Sequence, residues 1–296
     1  MNEVFDKPVE QAKSCLGHAT ARFGEQESGE RSQKTHIKSK FVLDLEVTEV
    51  ALLNSRFLLV KATNPKGCLP EMLPGQFAQL RMDLSKETYL RRPISINNVD
   101  RERNEVWFLV QMVGDGTRSL AALKPGDTLN AVLPLGNGFT LPSDSSERML
   151  LVGGGVGIAP LLFLGKVMVE AGQKPSFLLG ARRASDLMLT DIFRTLGDVY
   201  ITTEDGSEGE KGLVTNHSVL GQNVFDRIAV CGPGPMMKAV ARYARSVGAE
   251  CEVSLENVMA CGVGACLCCV EDTIDGHLCV CKEGPVFNIN RLKWQI

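Results

Sequence analysis

The C-terminal part of the sequence carries a group of cysteines whose spacing indicates a metal centre. Six of the ten cysteines lie there: Cys261, Cys266 and Cys269 follow the pattern C-x4-C-x2-C, Cys268 lies beside Cys269, and Cys279 and Cys281 come further along. That spacing, with a distant fourth cysteine, is typical of plant-type [2Fe–2S] clusters. Glycines between the first two cysteines let the backbone bend around a cluster and point its N–H groups inward.

The alternative is a structural zinc site, which also takes four thiolates. Zinc usually binds two short C-x2-C pairs, so the four-residue gap with internal glycines favours iron. The spacing alone leaves the fourth ligand open between Cys279 and Cys281, and Cys268 is an additional cysteine beside Cys269. The segment therefore predicts electron transfer through iron and sulfur.

A second group of residues could hold a dinucleotide. Residues 153–160 read GGGVGIAP, follow an apolar segment and open a predicted helix. Glycines let the backbone approach a pyrophosphate at a helix start. The spacing is not G-x-G-x-x-G; the alternative is a tight turn, which seldom needs four glycines. The candidate contacts are Gly154, Gly155 and Gly157.

Three later segments, residues 180–182, 204–206 and 231–235, each end a predicted strand. Open α/β sheets bind ligands at that edge, so their convergence predicts a nucleotide site. Arg182 and Arg183 could hold a 2′-phosphate, which leaves the choice between NAD and NADP open. The candidate contacts are Cys231, Gly232 and Pro233, although Cys231 could also be simply a small buried side chain.

A third group could hold a flavin nucleotide. Residues 91–96 read RRPISI and open a predicted strand, where an arginine fork suits a phosphate and Ser95 can reach the same ligand. Residues 114–117 read GDGT and precede a predicted helix, whose free N–H groups also suit a phosphate. The alternatives are a solvated basic pair and a hairpin turn with a capping threonine.

The elements that position these residues fall into three regions. Short alternating segments with turn residues between them predict an antiparallel β-barrel over residues 38–142. Strands then alternate with helices over residues 143–254, which predicts a Rossmann-like parallel sheet. Residues 255–296 are poor in core residues, and a bound cluster would stabilise them as a small third domain. Residues 1–37 are predicted to be a disordered extension. Within the predicted parallel-sheet region, residues 143–254, the predicted helices are residues 158–172, 185–197 and 235–249.

Composition excludes several classes of function. The net charge of −3 gives no electrostatic reason to expect a nucleic acid or an anionic membrane as partner. The first residues lack the pattern of a secretory signal, so we expect a cytoplasmic protein with reduced cysteines. No arrangement of residues indicates hydrolytic acid–base catalysis, so we predict no catalytic side chain and expect cofactors to carry the chemistry.

The order of these motifs resembles the ferredoxin–NADP reductase superfamily. The segments PLGNGF, GGGVGIAPL, CGPGPMM and SLENVMACGVGACLCCV…VCKEGPVF resemble more closely the electron-transfer subunits of NAD-dependent (type B) dihydroorotate dehydrogenase. The resemblance covers about residues 38–296. It implies NAD as electron acceptor and the cluster ligands Cys261, Cys266, Cys269 and Cys281, since Cys281 holds the cysteine of the family's VC-x-x-GPVF ending. It implies an FAD in the barrel, in contact with Arg92, Pro93, Ile94, Ser95, Leu109, Val110, Gln111, Gly116 and Thr117.

The resemblance also implies a partner and a reaction. Two such chains would assemble with two FMN-containing catalytic subunits that oxidise dihydroorotate in pyrimidine biosynthesis. Single electrons would pass through the cluster to FAD, and FAD would give a hydride to NAD⁺. The alternatives are the small subunit of another flavin/iron–sulfur reductase, of the sulfide dehydrogenase or ferredoxin–NADP transhydrogenase type, and a zinc-stabilised binding module.

Overall fold

The computed structural model describes residues 39–144 and 146–296, so the predicted extension over residues 1–37 lies outside the described residues. The first sheet is antiparallel, with the strand order β4-β3-β7-β1-β2-β6-β5. Its strands are β1 Phe41–Leu52, β2 Phe57–Thr63, β3 Phe77–Leu80, β4 Arg92–Ser95, β5 Asn98–Asp100, β6 Glu105–Gln111 and β7 Thr128–Leu135.

This sheet curls around its own apolar core. The alternation of β1 buries Leu45 and Val47 while Glu46 between them faces solvent, as expected for a strand with one buried face. A short helix α1, Asp115–Ser119, and the 3₁₀ turn that follows it place Leu120 on that core. The antiparallel β unit predicted from the sequence is therefore confirmed.

The second sheet has the order β11-β10-β9-β8-β12-β13-β16. All its pairings are parallel except that of β16 with β13. Its strands are β8 Met149–Gly154, β9 Ser176–Ala181, β10 Asp198–Thr203, β11 Glu210–Lys211, β12 Arg227–Cys231, β13 Glu250–Ser254 and β16 Val286–Asn288. The helices of this region are α2 Ala159–Glu170, α3 Thr190–Leu196, α4 Val219–Gln222 and α5 Gly234–Val247.

Helix α5 shows why this sequence covers the sheet. Its buried residues Met237, Val240, Ala241 and Ala244 recur at intervals of three and four, so they form one apolar stripe on the core. The helix ends at Gly248, whose φ of 72° is the left-handed conformation that glycine adopts without a Cβ clash. The predicted Rossmann-like unit is confirmed.

The remaining C-terminal residues lie between the two sheets. Strands β14, Val270–Thr273, and β15, Gly276–Cys279, form a hairpin, and helix α6, Val280–Glu283, follows it. Strand β16 of this segment pairs with β13 of the second sheet, and the Asn137 N–H of the first unit donates to the Gly284 carbonyl at 2.6 Å. The cysteine-bearing segment is thus bonded to both larger units. Strand pairing does not define domain limits, so the limits given above stay predictions.

Several details of the predicted elements are wrong. The helix expected over residues 185–197 begins only at Thr190, because Leu189 has a left-handed φ of 57° and Asp186 forms an ion pair with Arg56. Strands β13 and β16 were not expected, and the segment after Arg91 forms two strands instead of one. Cys68 is disulfide-bonded, although a reducing compartment predicts free thiols.

Among the described residues, no helix is both long and apolar enough to span a bilayer.

Candidate functional site

The loop from Cys261 to Cys266 presents its backbone N–H groups to sulfur. The Cys261 Sγ atom accepts hydrogen bonds from the N–H groups of Val263 at 3.4 Å, Ala265 at 3.3 Å and Cys266 at 3.4 Å. The bond from Val263 contributes most to lowering the pKa of the Cys261 thiol to about 6. The loop therefore favours a thiolate at this position, as a metal ligand requires.

The buried cysteines Cys269 and Cys281 extend the same network. The Gly264 N–H donates to Cys281 Sγ at 3.1 Å, and the Cys281 N–H donates to Cys269 Sγ at 3.3 Å. Burial, followed by the neighbouring Cys269, raises the pKa of Cys281 to about 12. A thiolate buried there needs a nearby cation, and an iron centre would supply that charge. These N–H···S bonds are what a cluster-binding loop provides, so the residues fit an iron–sulfur centre.

The two additional cysteines lack these contacts. The Cys279 Sγ atom lies 4.0 Å from the Gly264 carbonyl oxygen, a position that suits a protonated thiol as donor. Cys268 is exposed, as is Cys266 at the tip of the loop. The choice of Cys281 over Cys279 as the fourth ligand stays a prediction, and the hydrogen bond from the Gly264 N–H to the Cys281 sulfur favours it.

A cavity of about 530 Å³, here called the larger cavity, opens at the carboxyl ends of the parallel strands. Its walls come from the ends of β8, β9 and β10 and from the loop after β12, as predicted for a sheet of this type. Arg182 and Glu204 lie at its rim with exposed side chains. The candidate contacts that line it are Gly154, Gly155 and Pro233.

Two glycines lie before α2, one on the wall of the larger cavity and one in the packed contact behind it. Gly155 has a φ of 57°, and a Cβ atom added there would meet no other atom within 4 Å and would occupy open space. A Cβ atom at Gly157 would collide with the Cys231 carbonyl, so glycine is needed where the two loops meet. A backbone this open at the start of α2 fits a dinucleotide pyrophosphate. Gly157, Cys231 and Gly232 do not line the cavity and instead form the packed contact behind it.

A second cavity of about 280 Å³, the smaller cavity, lies between the curled sheet and the end of β13. Apolar side chains form most of its wall, with polar groups at its edge, which fits a flat ring with polar substituents such as a flavin. The candidate flavin contacts that line it are Arg92, Pro93, Ile94, Ser95, Leu109, Gln111 and Thr117. Val110 and Gly116 do not line it: Val110 points into the sheet's core, and Gly116 packs against Thr88.

The polar residues predicted to contact the flavin at the smaller cavity differ in their hydrogen-bond partners. Arg92 donates to the Leu90 carbonyl at 2.9 Å and forms no ion pair with any described carboxylate, so its charge is available to a phosphate. Arg91 instead donates to the Gln79 carbonyl at 3.2 Å and supports the sheet. Thr117 Oγ1 accepts from the Gly114 N–H at 3.2 Å, but Gly114 is the N-cap of α1 and Thr117 its third residue, so Thr117 is not the N-cap that the alternative named.

Glu256 is the residue that sequence reasoning missed. It lines both cavities, as Gln111 and Val156 do, so these three side chains form the wall that the cavities share. Burial raises its pKa, and a hydrogen bond from the Cys231 thiol opposes that rise. A single glutamate in the segment SLEN gives no signal in the sequence, because its position depends on β13 ending between the two units.

Two family models match the chain. The iron–sulfur cluster binding domain of dihydroorotate dehydrogenase B matches residues 256–293, and the oxidoreductase NAD-binding domain matches residues 151–242. The first match contains all the predicted cluster ligands, and the second contains the glycine loop at the start of α2.

Curated relatives cover most of the described chain. The dihydroorotate dehydrogenase B (NAD(+)) electron transfer subunit of Caldanaerobacter subterraneus subsp. tengcongensis is 44% identical over 72% of this chain and 84% of its own length. The protein of the same name from Fusobacterium nucleatum is 41% identical, with the same coverage.

Solved structures share the architecture. A chain in the structure of the NADH-dependent reduced ferredoxin–NADP oxidoreductase is 30% identical, with a TM-score of 0.76 over 85% of this chain and 90% of that one. A Neisseria gonorrhoeae ferredoxin NADP⁺ reductase with bound FAD and NADP is 16% identical, with a TM-score of 0.57 over 70% of this chain and 92% of that one. The similarity to the Neisseria gonorrhoeae protein shows only a shared fold.

Proposed function

This chain belongs to the family of electron-transfer subunits of NAD-dependent dihydroorotate dehydrogenase B, and we propose that it connects a catalytic partner subunit to NAD⁺. It is an oxidoreductase subunit whose cofactors are an iron–sulfur cluster, FAD and NAD. When bound, the cluster exchanges single electrons, the flavin exchanges one or two, and the nicotinamide accepts a hydride.

The wall shared by the two cavities carries this proposal. Gln111, Val156 and Glu256 each line both cavities, so ligands bound in them would meet across these side chains. Hydride transfer requires reacting atoms about 3–3.5 Å apart, and adjoining cavities meet that need while the surrounding apolar side chains exclude water. We propose that the flavin ring occupies the smaller cavity and the nicotinamide ring the part of the larger cavity beside Glu256.

The residues at the cofactor sites would act by binding and orientation. We propose that Arg92 binds a flavin phosphate, that Gly154 and Gly155 admit the dinucleotide pyrophosphate, and that Cys261, Cys266, Cys269 and Cys281 hold the cluster. The backbone N–H groups of the loop would stabilise the negative charge of the cysteine sulfurs. None of these residues is proposed to move a proton.

We propose that the partner docks over the cysteine loop. The side chains of Val258 and Leu267, exposed by 79% and 64%, lie on either side of Cys261 in the sequence, and Val263 and Val270 add partly exposed apolar surface. Leu267 also has a left-handed φ of 58°, which a non-glycine residue adopts at some cost. Apolar side chains held out at a redox centre suit burial against a second subunit. We further propose the stoichiometry of two catalytic and two electron-transfer subunits.

We propose the cytoplasm as the location. Apart from Cys68, the described cysteines are free thiols, and exposed thiols such as those of Cys266 and Cys268 suit a reducing compartment. Fractionation of the native host with an antibody to the chain tests this proposal.

The experiment that tests the function begins with the purified chain under anaerobic conditions. We expect flavin absorption bands, cluster absorption with about two iron atoms per chain, and bleaching of the flavin by NADH. Co-purification from the native host should then yield an FMN-containing partner that oxidises dihydroorotate, by native mass spectrometry in a two-plus-two complex. A larger iron–sulfur flavoprotein as partner would favour the other reductase subunits, and a colourless protein with stoichiometric zinc would overturn the redox function.

A further inference from the structure

Gln79 is a fully buried side chain whose amide has no partner. Its Nε2 and Oε1 atoms both lie out of contact with solvent and form no hydrogen bond among the described residues. A buried amide without partners does not recover the hydrogen bonds that it makes with water in the unfolded chain, so such a pair calls for an explanation. Among the described residues, no other side chain leaves two buried polar atoms unpaired.

The amide lies against the cysteine loop. A Cβ atom at Gly262 would lie 2.6 Å from Cγ of Gln79 and 3.0 Å from its Nε2 atom. Gly262 directly follows Cys261 and has a left-handed φ of 71°, so the glycine both turns the loop and leaves room for the glutamine. The side chain of Gln79 therefore fills the space beside the first predicted cluster ligand.

The backbone of Gln79 belongs to the flavin side of the molecule. Strand β3 pairs with β4, and Gln79 lies opposite Pro93, one of the residues that line the smaller cavity. Its neighbour on the same face, Phe77, also lines that cavity. Gln79 thus extends from the strand beside the proposed flavin site to the loop that would hold the cluster.

We infer that the Gln79 Nε2 group donates a hydrogen bond to the iron–sulfur centre held by the cysteine loop, and so raises the midpoint potential of that centre. The inference rests on the proposed function. Reduction adds a negative charge to a cluster, and an N–H donor stabilises that charge more in a buried site than in water. Gln79 is a positioning and tuning residue, and it is not proposed to carry electrons itself.

The first test compares the variants Gln79→Met and Gln76→Met. Methionine keeps the length of the side chain and removes the donor. Gln76 is an equally buried glutamine three residues away, but its amide is bonded to the Leu73 N–H and to the Gly136 carbonyl, each at 2.8 Å. The measurement is an EPR-monitored redox titration of the reconstituted chain. We expect Gln79→Met to shift the cluster midpoint to more negative values with the FAD midpoint unmoved, and Gln76→Met to leave both unmoved. An unmoved cluster midpoint in a Gln79→Met chain that retains its iron would overturn the inference.

A second measurement uses the unsubstituted chain, so it remains informative if the Gln79→Met variant does not fold. The chain is made by cell-free synthesis with glutamine carrying ¹⁵N in the side-chain amide, and pulsed EPR is recorded on the reduced cluster. We expect a weak ¹⁵N coupling that is absent when the label is placed in asparagine. A cluster signal without the glutamine coupling would contradict the inference alone, whereas failure of the reconstituted chain to bind iron would contradict the proposed function.

Discussion

The Cys231 thiol lies 3.8 Å from the Glu256 Oε1 atom, directly behind the wall that the two cavities share. The thiol is fully buried, and burial raises the pKa of Cys231, so it remains a protonated donor. Burial likewise raises the pKa of Glu256 above the ordinary glutamate value, with the thiol bond opposing that rise. The carboxyl group at the proposed meeting point of the two cofactors therefore changes charge at a higher pH than an exposed glutamate.

This pair predicts a pH dependence of NAD⁺ binding. The oxidised nicotinamide ring is cationic and the reduced ring is neutral, so an ionised Glu256 favours NAD⁺ over NADH. Because the folded pKa is raised, we expect NAD⁺ affinity to be full at high pH and to fall as the pH drops through that raised value. The loss should be about tenfold, equivalent to about 1.4 kcal/mol. Calorimetric titrations with NAD⁺ and NADH over a series of pH values measure it.

The variant Glu256→Gln serves as the comparison. It keeps the size of the side chain and removes the charge, so its NAD⁺ affinity should be low and independent of pH in the same range. An unchanged pH profile in Glu256→Gln would show that another group is responsible.

The fourth cluster ligand can be identified with two single substitutions. Cys281 accepts a backbone N–H bond and Cys279 does not, so we expect Cys281→Ser to lose the cluster and Cys279→Ser to retain it. Iron content and visible absorption after identical anaerobic reconstitution are the measurements. Loss of the cluster in the Cys279 variant alone would reverse the assignment.

Substitution of Gly155, at the start of α2, should affect dinucleotide binding more than the stability of the fold. Gly155 and Gly172 both have positive φ, and a Cβ atom at either meets nothing within 4 Å, but only Gly155 lines the larger cavity. Alanine at each should cost a similar 1–2 kcal/mol or so of strain in urea unfolding. Only Gly155→Ala should weaken NADH binding, by about tenfold or more. Equal affinities in the two variants would place the pyrophosphate elsewhere.

The rim of the larger cavity predicts which nucleotide is preferred. Glu204 lies there, and its carboxylate would repel a 2′-phosphate and accept a bond from a free ribose hydroxyl. We expect Glu204→Gln to improve binding of 2′,5′-ADP about tenfold relative to 5′-ADP, since each factor of ten is about 1.4 kcal/mol. Asp205→Asn is the control, because Asp205 is bonded to Ser207 and does not line the cavity. A similar gain in the control would point to general charge rather than to Glu204.

Most of the fold could be predicted from local sequence patterns. The alternation in β1, the glycine loop before α2 and the apolar stripe of α5 each lie within a few residues, and the two large units followed from them. The error at residues 185–197 arose because an ion pair between Asp186 and Arg56, far apart in the sequence, competes with a helix there.

The site was less accessible to sequence reasoning where distant segments meet. The cysteine spacing indicates a cluster, but Gln79 acquires its role only when β3 comes to lie against the loop at Gly262. Glu256 similarly depends on the end of β13 lying between two cavities. Neither residue belongs to a sequence motif. The position of each depends on contacts between segments that are distant in the sequence, and not on spacing within one segment.

The antiparallel pairing of β16 with β13 divides the C-terminal segment into parts of unequal local stability. Val286 and Phe287 are completely buried in the nucleotide-binding sheet, whereas the N–H groups of the loop from Cys261 to Cys266 donate to the sulfurs of Cys261 and Cys281. Removal of iron should therefore accelerate amide hydrogen exchange in the cysteine loop and leave the amides of β16 protected. The chain would then lose and regain its metal by opening one loop, with the strand that anchors the segment remaining in register.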